Sequence, residues 1–171
     1  MPQSTQPSTR LRHLKMQVQR RLSYCLQLAQ RHFQRTFPMP TVTYHVRGTK
    51  AGAAYPTQNE IRLNPQLLLE NPEEFLQQVV PHELAHLLVY QLFGRVKPHG
   101  IEWQNMMTGL FGLPAHTCHR FDTSSVQGKT FPYQCGCQIH QLSIRRHQRV
   151  QRGSASYFCR KCKQKLIFML S

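Results

Sequence analysis

His82, Glu83 and His86 stand in the run V-V-P-H-E-L-A-H-L-L-V. The spacing H-E-x-x-H carries a mechanism. On an α-helix, residues four apart lie one turn above each other, so His82 and His86 point the same way. Two imidazoles on one helix face can grip a single Zn²⁺. Glu83, beside the first of them, can reach the open coordination position and act as general base toward a zinc-activated water. Downstream, P-H-G-I-E-W offers His99 as a third ligand. Three protein ligands and one open position describe a catalytic zinc, not a closed structural one. A five-residue pattern also arises by chance, and a histidine on an apolar helix face is often just a core residue. The long apolar helix and the downstream histidine favour the metal reading here.

A second group of metal-capable side chains lies near the C-terminus. Y-Q-C-G-C-Q-I-H places Cys135, Cys137 and His140 together, and Y-F-C-R-K-C places Cys159 and Cys162. The second half is a C-x-x-C knuckle. Two halves about twenty residues apart suggest a zinc ribbon, a structural four-ligand site. The first half is one residue short as C-x-C. The repeated Tyr-x-Cys favours Cys135 with Cys137, while Cys137-x-x-His140 keeps the knuckle length and makes His140 a competing ligand. So short a tail buries little core, and a metal would staple it. His116, Cys118 and His119 match no ligand spacing.

These residues need elements to hold them. From Thr9 to Phe37, apolar residues at Leu11, Leu14, Val18, Leu22, Leu26, Ala29 and Phe33 give a long amphipathic helix, ended by Pro38 and Pro40. Cys25 falls near its apolar stripe and reads as a core thiol. Thr41–Arg47 alternates as a half-buried strand, and A-A-Y and E-I-R-L-N read as two more. An exposed edge of that small sheet could hold an extended peptide by strand addition. Asn64-Pro65 and Asn71-Pro72 are both N-cap and Pro pairs, and the second opens the H-E-x-x-H helix with a near capping box to Glu74. Pro81 predicts a bend or restart just before His82. Gly94 stops that helix and R-V-K-P returns the chain. Trp103 is expected to pack on the H-E-x-x-H helix. Glu102 is a candidate hydrogen-bond acceptor for a ligating ring. The expected fold class is α+β: a zincin-like core with an N-terminal helix, a small mostly antiparallel sheet and the H-E-x-x-H helix, then a ribbon-like β tail. The expected boundaries are 1–8 disordered, 9–125 core and 126–171 basic tail.

Lysine and arginine number 22 against 7 acidic residues, a formal net charge of +15. Such a field attracts polyanions. The charge is uneven: residues 1–47 hold eight basic and no acidic side chains, and residues 116–171 hold ten basic and one acidic. Arg145, Arg146, Arg149 and Arg152 fall between the two cysteine halves. On ribbon strands they would form a ridge for phosphates, giving salt-dependent, weakly sequence-specific binding to nucleic acid. A solvated, solubilising surface is the plainer reading. No apolar run approaches a membrane span, the first residues lack a signal's apolar region, and six cysteines without secretion read as ligands or thiols. A cytoplasmic protein without membrane contact is expected.

V-V-P-H-E-L-A-H-L-L-V followed by P-H-G-x-E-W, with R-G-T-K-A-G, I-R-L-N-P and the cysteine-rich end, resembles the SprT family of zinc-metalloprotease-like proteins. The resemblance implies His82, His86 and His99 as ligands of a catalytic zinc and Glu83 as catalytic residue. It also implies kinship with Spartan-type proteases, which degrade proteins crosslinked to DNA. The expected function is therefore a zinc metallopeptidase acting on DNA-associated protein, with a second, structural zinc. A zinc and nucleic-acid-binding protein without catalysis is the alternative, and a ribbon-type module in which the tail is the working part is a third.

Overall fold

The computed structural model describes residues 7–118 and 122–169. Residues 1–6 and His119 lie outside the described residues. The class is α+β, and the chain divides into two compact units, 1–126 and 127–171.

In the first unit, α1 (Pro7–Phe33) buries Leu14, Val18, Leu22, Cys25, Leu26 and Ala29 along one face. That is the stripe expected from the three- and four-residue steps. The helix starts at Pro7, so Pro7 and Ser8 belong to it and not to a disordered terminus, and it ends at Phe33, four residues before Phe37. Gln34, with φ of 50°, turns the chain out of the helix. Burial pushes the Cys25 thiol up to about 11, against the pull of Arg21, so it stays protonated as a core residue.

Three short strands follow: β1 (Thr41–Thr43), β2 (Gly52–Tyr55) and β3 (Glu60–Leu63). The order is β1-β3-β2, with β1 parallel and β2 antiparallel to β3. The sheet is thus mixed rather than mostly antiparallel. The chain leaves β1, crosses to the far edge as β2, and returns through a hairpin to the middle as β3. The first strand is also shorter than its alternation suggested. Beyond Thr43 it keeps one sheet bond, from Val46 N to Leu63 O.

The two Asn-Pro pairs differ. Asn64 caps α2 (Pro65–Glu70), its Oδ1 accepting from the amides of Gln66 and Leu67 at 3.1 and 3.3 Å. Its Nδ2 donates to Gly48 O and Lys50 O, so one buried side chain ties a helix start to the 48–51 loop. Asn71 makes no such cap. Its Nδ2 turns back to Leu67 O, closing the end of α2. The helical path continues as α3 (Pro72–Glu74), a π-turn over Phe75–Val79, and α4 (Val80–Phe93), with helical dihedrals at the junctions. Pro81 explains the π-turn. Proline has no amide to donate and its ring crowds the carbonyl four residues back. The turn ahead of it widens, and Val80 N reaches Phe75 O. Proline then falls in the first turn of α4, where no donor is needed. The predicted restart is a widened turn. A second π-turn, Met106–Leu110, extends α5 (Ile101–Asn105).

The second unit has its own sheet, β4 (Thr130–Gln134), β5 (Ile139–Ser143) and β6 (Ile167–Phe168), in antiparallel order β5-β4-β6 around Tyr133 and Leu142. Between β5 and β6 lies α6 (Ile144–Gln151). The arginines expected on strands are therefore on a helix: Arg145, Arg146 and Arg149 lie within it and Arg152 caps it. Its sequence alternates at helical spacing. His147 stacks on Phe131 at 3.8 Å between ring centroids, and Val150 packs on the same small core. Among the described residues no helix is long and apolar enough to cross a membrane.

Replacing Asn64 with alanine removes a helix cap and strands two carbonyls. The variant should lose about 2–3 kcal/mol of stability, read from the urea midpoint of unfolding.

Candidate metal and active site

The site is built on α4. His82 and His86 sit one turn apart, and Glu83 is on the flank facing β2. Gly94 ends the helix with φ of 71°, its amide bonded to Tyr90 O. The chain then returns through a tight turn closed by Gly100 N to Lys97 O at 2.9 Å. Pro98 takes the second position of that turn, and His99 the third with φ of 57°. A positive φ there is what a type II turn requires. Gly100 must be small: a Cβ on it would lie 2.9 Å from Lys97 O. Gln104 Nε2 holds the His99 carbonyl at 3.0 Å.

These constraints bring three Nε2 atoms together. His82 to His86 is 3.2 Å, His86 to His99 3.1 Å, and His99 to His82 3.1 Å. Hydrogen bonding cannot account for the triangle. Each neutral ring nitrogen is either donor or acceptor, so among three at least two are alike and face each other unfavourably. A shared cation resolves this. Ligands at ~2.0–2.1 Å around a tetrahedral Zn²⁺ stand ~3.3 Å apart, close to the spacing seen. The rings are also electronically suited to ligation. Burial, then the nearby His99, hold His86 down at about 4, and burial lowers His99, so both lone pairs stay free.

Trp103 is the floor. Its Nε1 donates to His82 O at 3.3 Å, its ring stacks on His86 at 5.6 Å and 23°, and it meets His82 and His99 edge-on. It thus fixes ring orientations as well as filling core. No hydrogen bond joins Glu102 to His86 or His99 among the described residues; its carboxylate lies against Gly100.

Glu83 is only 5% exposed. Burial raises its carboxyl to about 7, opposed by the charge of Lys50 and by the Ala54 backbone amide. A carboxyl so desolvated, with a cation near it, is suited to taking and returning a proton. Gly52 fits against it: a Cβ there would lie 3.0 Å from Glu83 Oε1 and 3.1 Å from Leu63 Cδ2. The sequence suggests a turn framed by Gly48 and Gly52, but Gly52 opens β2, and its contact with Glu83 joins residues 31 positions apart, which no local signal carries. The site opens into a cleft of about 760 Å³, lined by Lys50, Gly52, Ala54, Tyr90, Arg95 and Lys97 among others. Cys118 lies on its wall but outside the triangle of imidazoles.

In the second unit, the sulfurs of Cys135, Cys137, Cys159 and Cys162 all lie within 4.8 Å of one another. Cys135 to Cys137 is 3.5 Å and Cys137 to Cys159 is 3.7 Å. Thiolates at ~2.3 Å around zinc would stand ~3.8 Å apart. The backbone amide at Cys137 pulls the Cys135 thiol down to about 5, and its bond to Cys135 drives Cys137 up to about 12. Thiols so close cannot all ionise without a cation to share. The two turns are joined where Gly136 N donates to Gln164 Oε1 at 2.7 Å, and a side chain on Gly136 would collide with Gln164. His140 touches Cys135 Sγ through Nε2 at 3.4 Å but stands outside the mutual group of four. Arg145, Arg146, Arg149 and Arg152 are all exposed.

The chain matches the model of the SprT-like family over residues 22–119 and that of the SprT-like zinc ribbon domain over residues 129–170. Protein SprT of Pasteurella multocida (strain Pm70) is 65% identical over 162 residues, covering 95% of this chain and 98% of that protein. Protein SprT of Actinobacillus succinogenes is 65% identical over 158 residues, 92% of this chain and 93% of that protein. Protein SprT of Yersinia pestis is 54% identical over 156 residues, 91% and 92%. No solved structure matches the chain. The matches span both units and both clusters, and the chain belongs to the SprT-like family.

Proposed function

We propose that this chain is a zinc-dependent metallopeptidase of SprT type with a zincin-like core, acting in the cytoplasm on proteins associated with DNA. The observation that carries the reading is the triangle of His82, His86 and His99 beside a buried Glu83 at a sheet edge. Bound by these imidazoles, zinc would supply Lewis acidity, polarising a carbonyl and lowering the pKa of water from ~16 toward ~7.

The other steps belong to the chain's own groups. Glu83 accepts the proton of the attacking water and delivers it to the leaving amine. The buried setting, and the nearby charge of Lys50, keep that carboxyl able to do both. Substrate positioning falls to β2. Ala51 O is bonded to Asn64 N, so the antiparallel alternation turns Ala51, Ala53 and Tyr55 toward β3. The backbone of Gly52 and the carbonyl of Ala54 then face away from the sheet, along the cleft, while the Ala54 amide is taken by Glu83. An extended peptide can add there as a further strand. The four cysteines of the ribbon would hold a structural zinc with no open position. Exposed Arg145, Arg149 and Arg152 share one side of α6, because His147 and Val150 turn inward, and Arg146 lies 5.5 Å from the Tyr157 ring. Such a face suits phosphate oxygens and would recruit the protein to nucleic acid. The same cations support the second reading, a nucleic-acid-binding protein whose zinc is not catalytic. An intact, desolvated Glu83 favours catalysis, since a structural site needs no base.

Metal analysis should find two zinc ions per chain. His86→Ala and Cys159→Ser should each retain one, and the double variant none. Glu83→Gln should keep both and lower casein cleavage by about 10²–10⁴-fold; undiminished cleavage would overturn Glu83 as the base, and an unaltered chain that cleaves nothing would leave the non-catalytic reading. Gly52→Val should also keep both ions, yet displace the carboxylate and slow cleavage by about 10²-fold.

A further inference from the structure

We propose that the outward face of α1 is a docking surface for single-stranded nucleic acid, separate from the arginines of α6. Arg12, Met16, Arg20 and Tyr24 follow one another at four-residue steps, and Arg31 stands seven beyond. All five therefore share the face opposite Val18, Leu22 and Ala29. Arg12, Arg20 and Arg31 are exposed, and their side chains make no hydrogen bond or ion pair among the described residues. An ordinary solvated helix face mixes signs, with Glu and Lys four apart supporting each other. This helix has no acidic residue in its 27, not even at its positive end. The single sign works against the helix, so it calls for a counter-charge from outside.

Two apolar side chains lie within that basic row. Met16 is 48% exposed and Tyr24 54% exposed. Arg21 lies over the Tyr24 ring at 5.5 Å, while its own Nε donates to Leu76 O at 3.0 Å, so the ring is steadied from a fixed side chain. Cations for a backbone, interrupted by an exposed aromatic face, are what unpaired bases bind. Duplex bases are stacked internally and offer Tyr24 nothing. The apolar stripe of α1 is already buried, which leaves no greasy face to enter a lipid surface.

The test uses the full, zinc-loaded chain carrying R145Q/R146Q/R149Q/R152Q, so that binding through α6 is removed. Its affinity for a labelled oligothymidylate of about 15 nucleotides is followed by fluorescence anisotropy across a salt series. Adding R12Q/R20Q/R31Q should weaken binding at least tenfold and reduce the salt slope by about 2. R12K/R20K/R31K should restore most of it, which a folding defect would not allow. Y24A should weaken oligothymidylate binding about tenfold and leave duplex binding unchanged. Affinity unchanged by the glutamines overturns the proposal, as does a Y24A effect that is absent or equal on duplex. Phosphatidylserine vesicles competing as well as oligothymidylate would also overturn it.

Discussion

Three imidazole nitrogens within 3.2 Å of one another form an arrangement that no pattern of ring protons can satisfy. Much of the first unit is arranged to hold it. Two of the rings come free with helical periodicity. The third must be carried back by a chain that has left the helix, and each part of that return is specified: Gly94 for the exit, Pro98 for the turn, a left-handed His99, and a Gly100 that leaves room for Lys97 O. A left-handed backbone at a non-glycine residue costs free energy. That cost falls on the residue whose imidazole completes the triangle.

The same economy governs Glu83. A carboxylate buried between a helix and an edge strand needs a neighbour without a side chain, and Gly52 is that neighbour. The π-turn ahead of Pro81 serves the other end. Without it, the proline would fall inside a regular helix and displace the turn that carries His82. Trp103 joins these parts. It hydrogen-bonds the His82 carbonyl and lies against all three rings, so the α5 segment and α4 are positioned as one body.

What could be read from the sequence follows from locality. The α1 stripe, the helix stop at Gly94, the Asn64 cap and the pairing of His82 with His86 rest on spacings of a few residues with strong steric or hydrogen-bonding causes, and His99, 13 residues beyond His86, joins them through a short return loop. Errors arose where a nearby signal had two outlets. Asn71-Pro72 looks like Asn64-Pro65, yet Asn71 satisfies the preceding carbonyl instead, because α2 ends where α3 begins. Position within a ribbon argues for strands at Arg145–Arg152, but His147 and Val150 have partners in Phe131 and the small core, and a helix presents both to them. The parallel pairing of β1 with β3 has no local signature, since it depends on which edge the chain crosses to. Gly52, Lys50 and the cleft-facing backbone are likewise long-range facts.

Charge placement shows how stability and function are kept apart in this chain. Arg62 pairs with Glu60 at 2.8 Å, and no other described lysine or arginine lies within ion-pairing distance of a carboxylate. The excess of cations therefore adds no internal cohesion; through mutual repulsion it opposes the compact state. Residues 48–115, which hold the imidazoles and Glu83, have six acidic side chains against four basic ones, while the strongly basic stretches lie before and after. That division is one of sequence and not of space: Lys50, Arg95 and Lys97 line the cleft beside the imidazoles, and the charge of Lys50 opposes the rise that burial imposes on the Glu83 carboxyl.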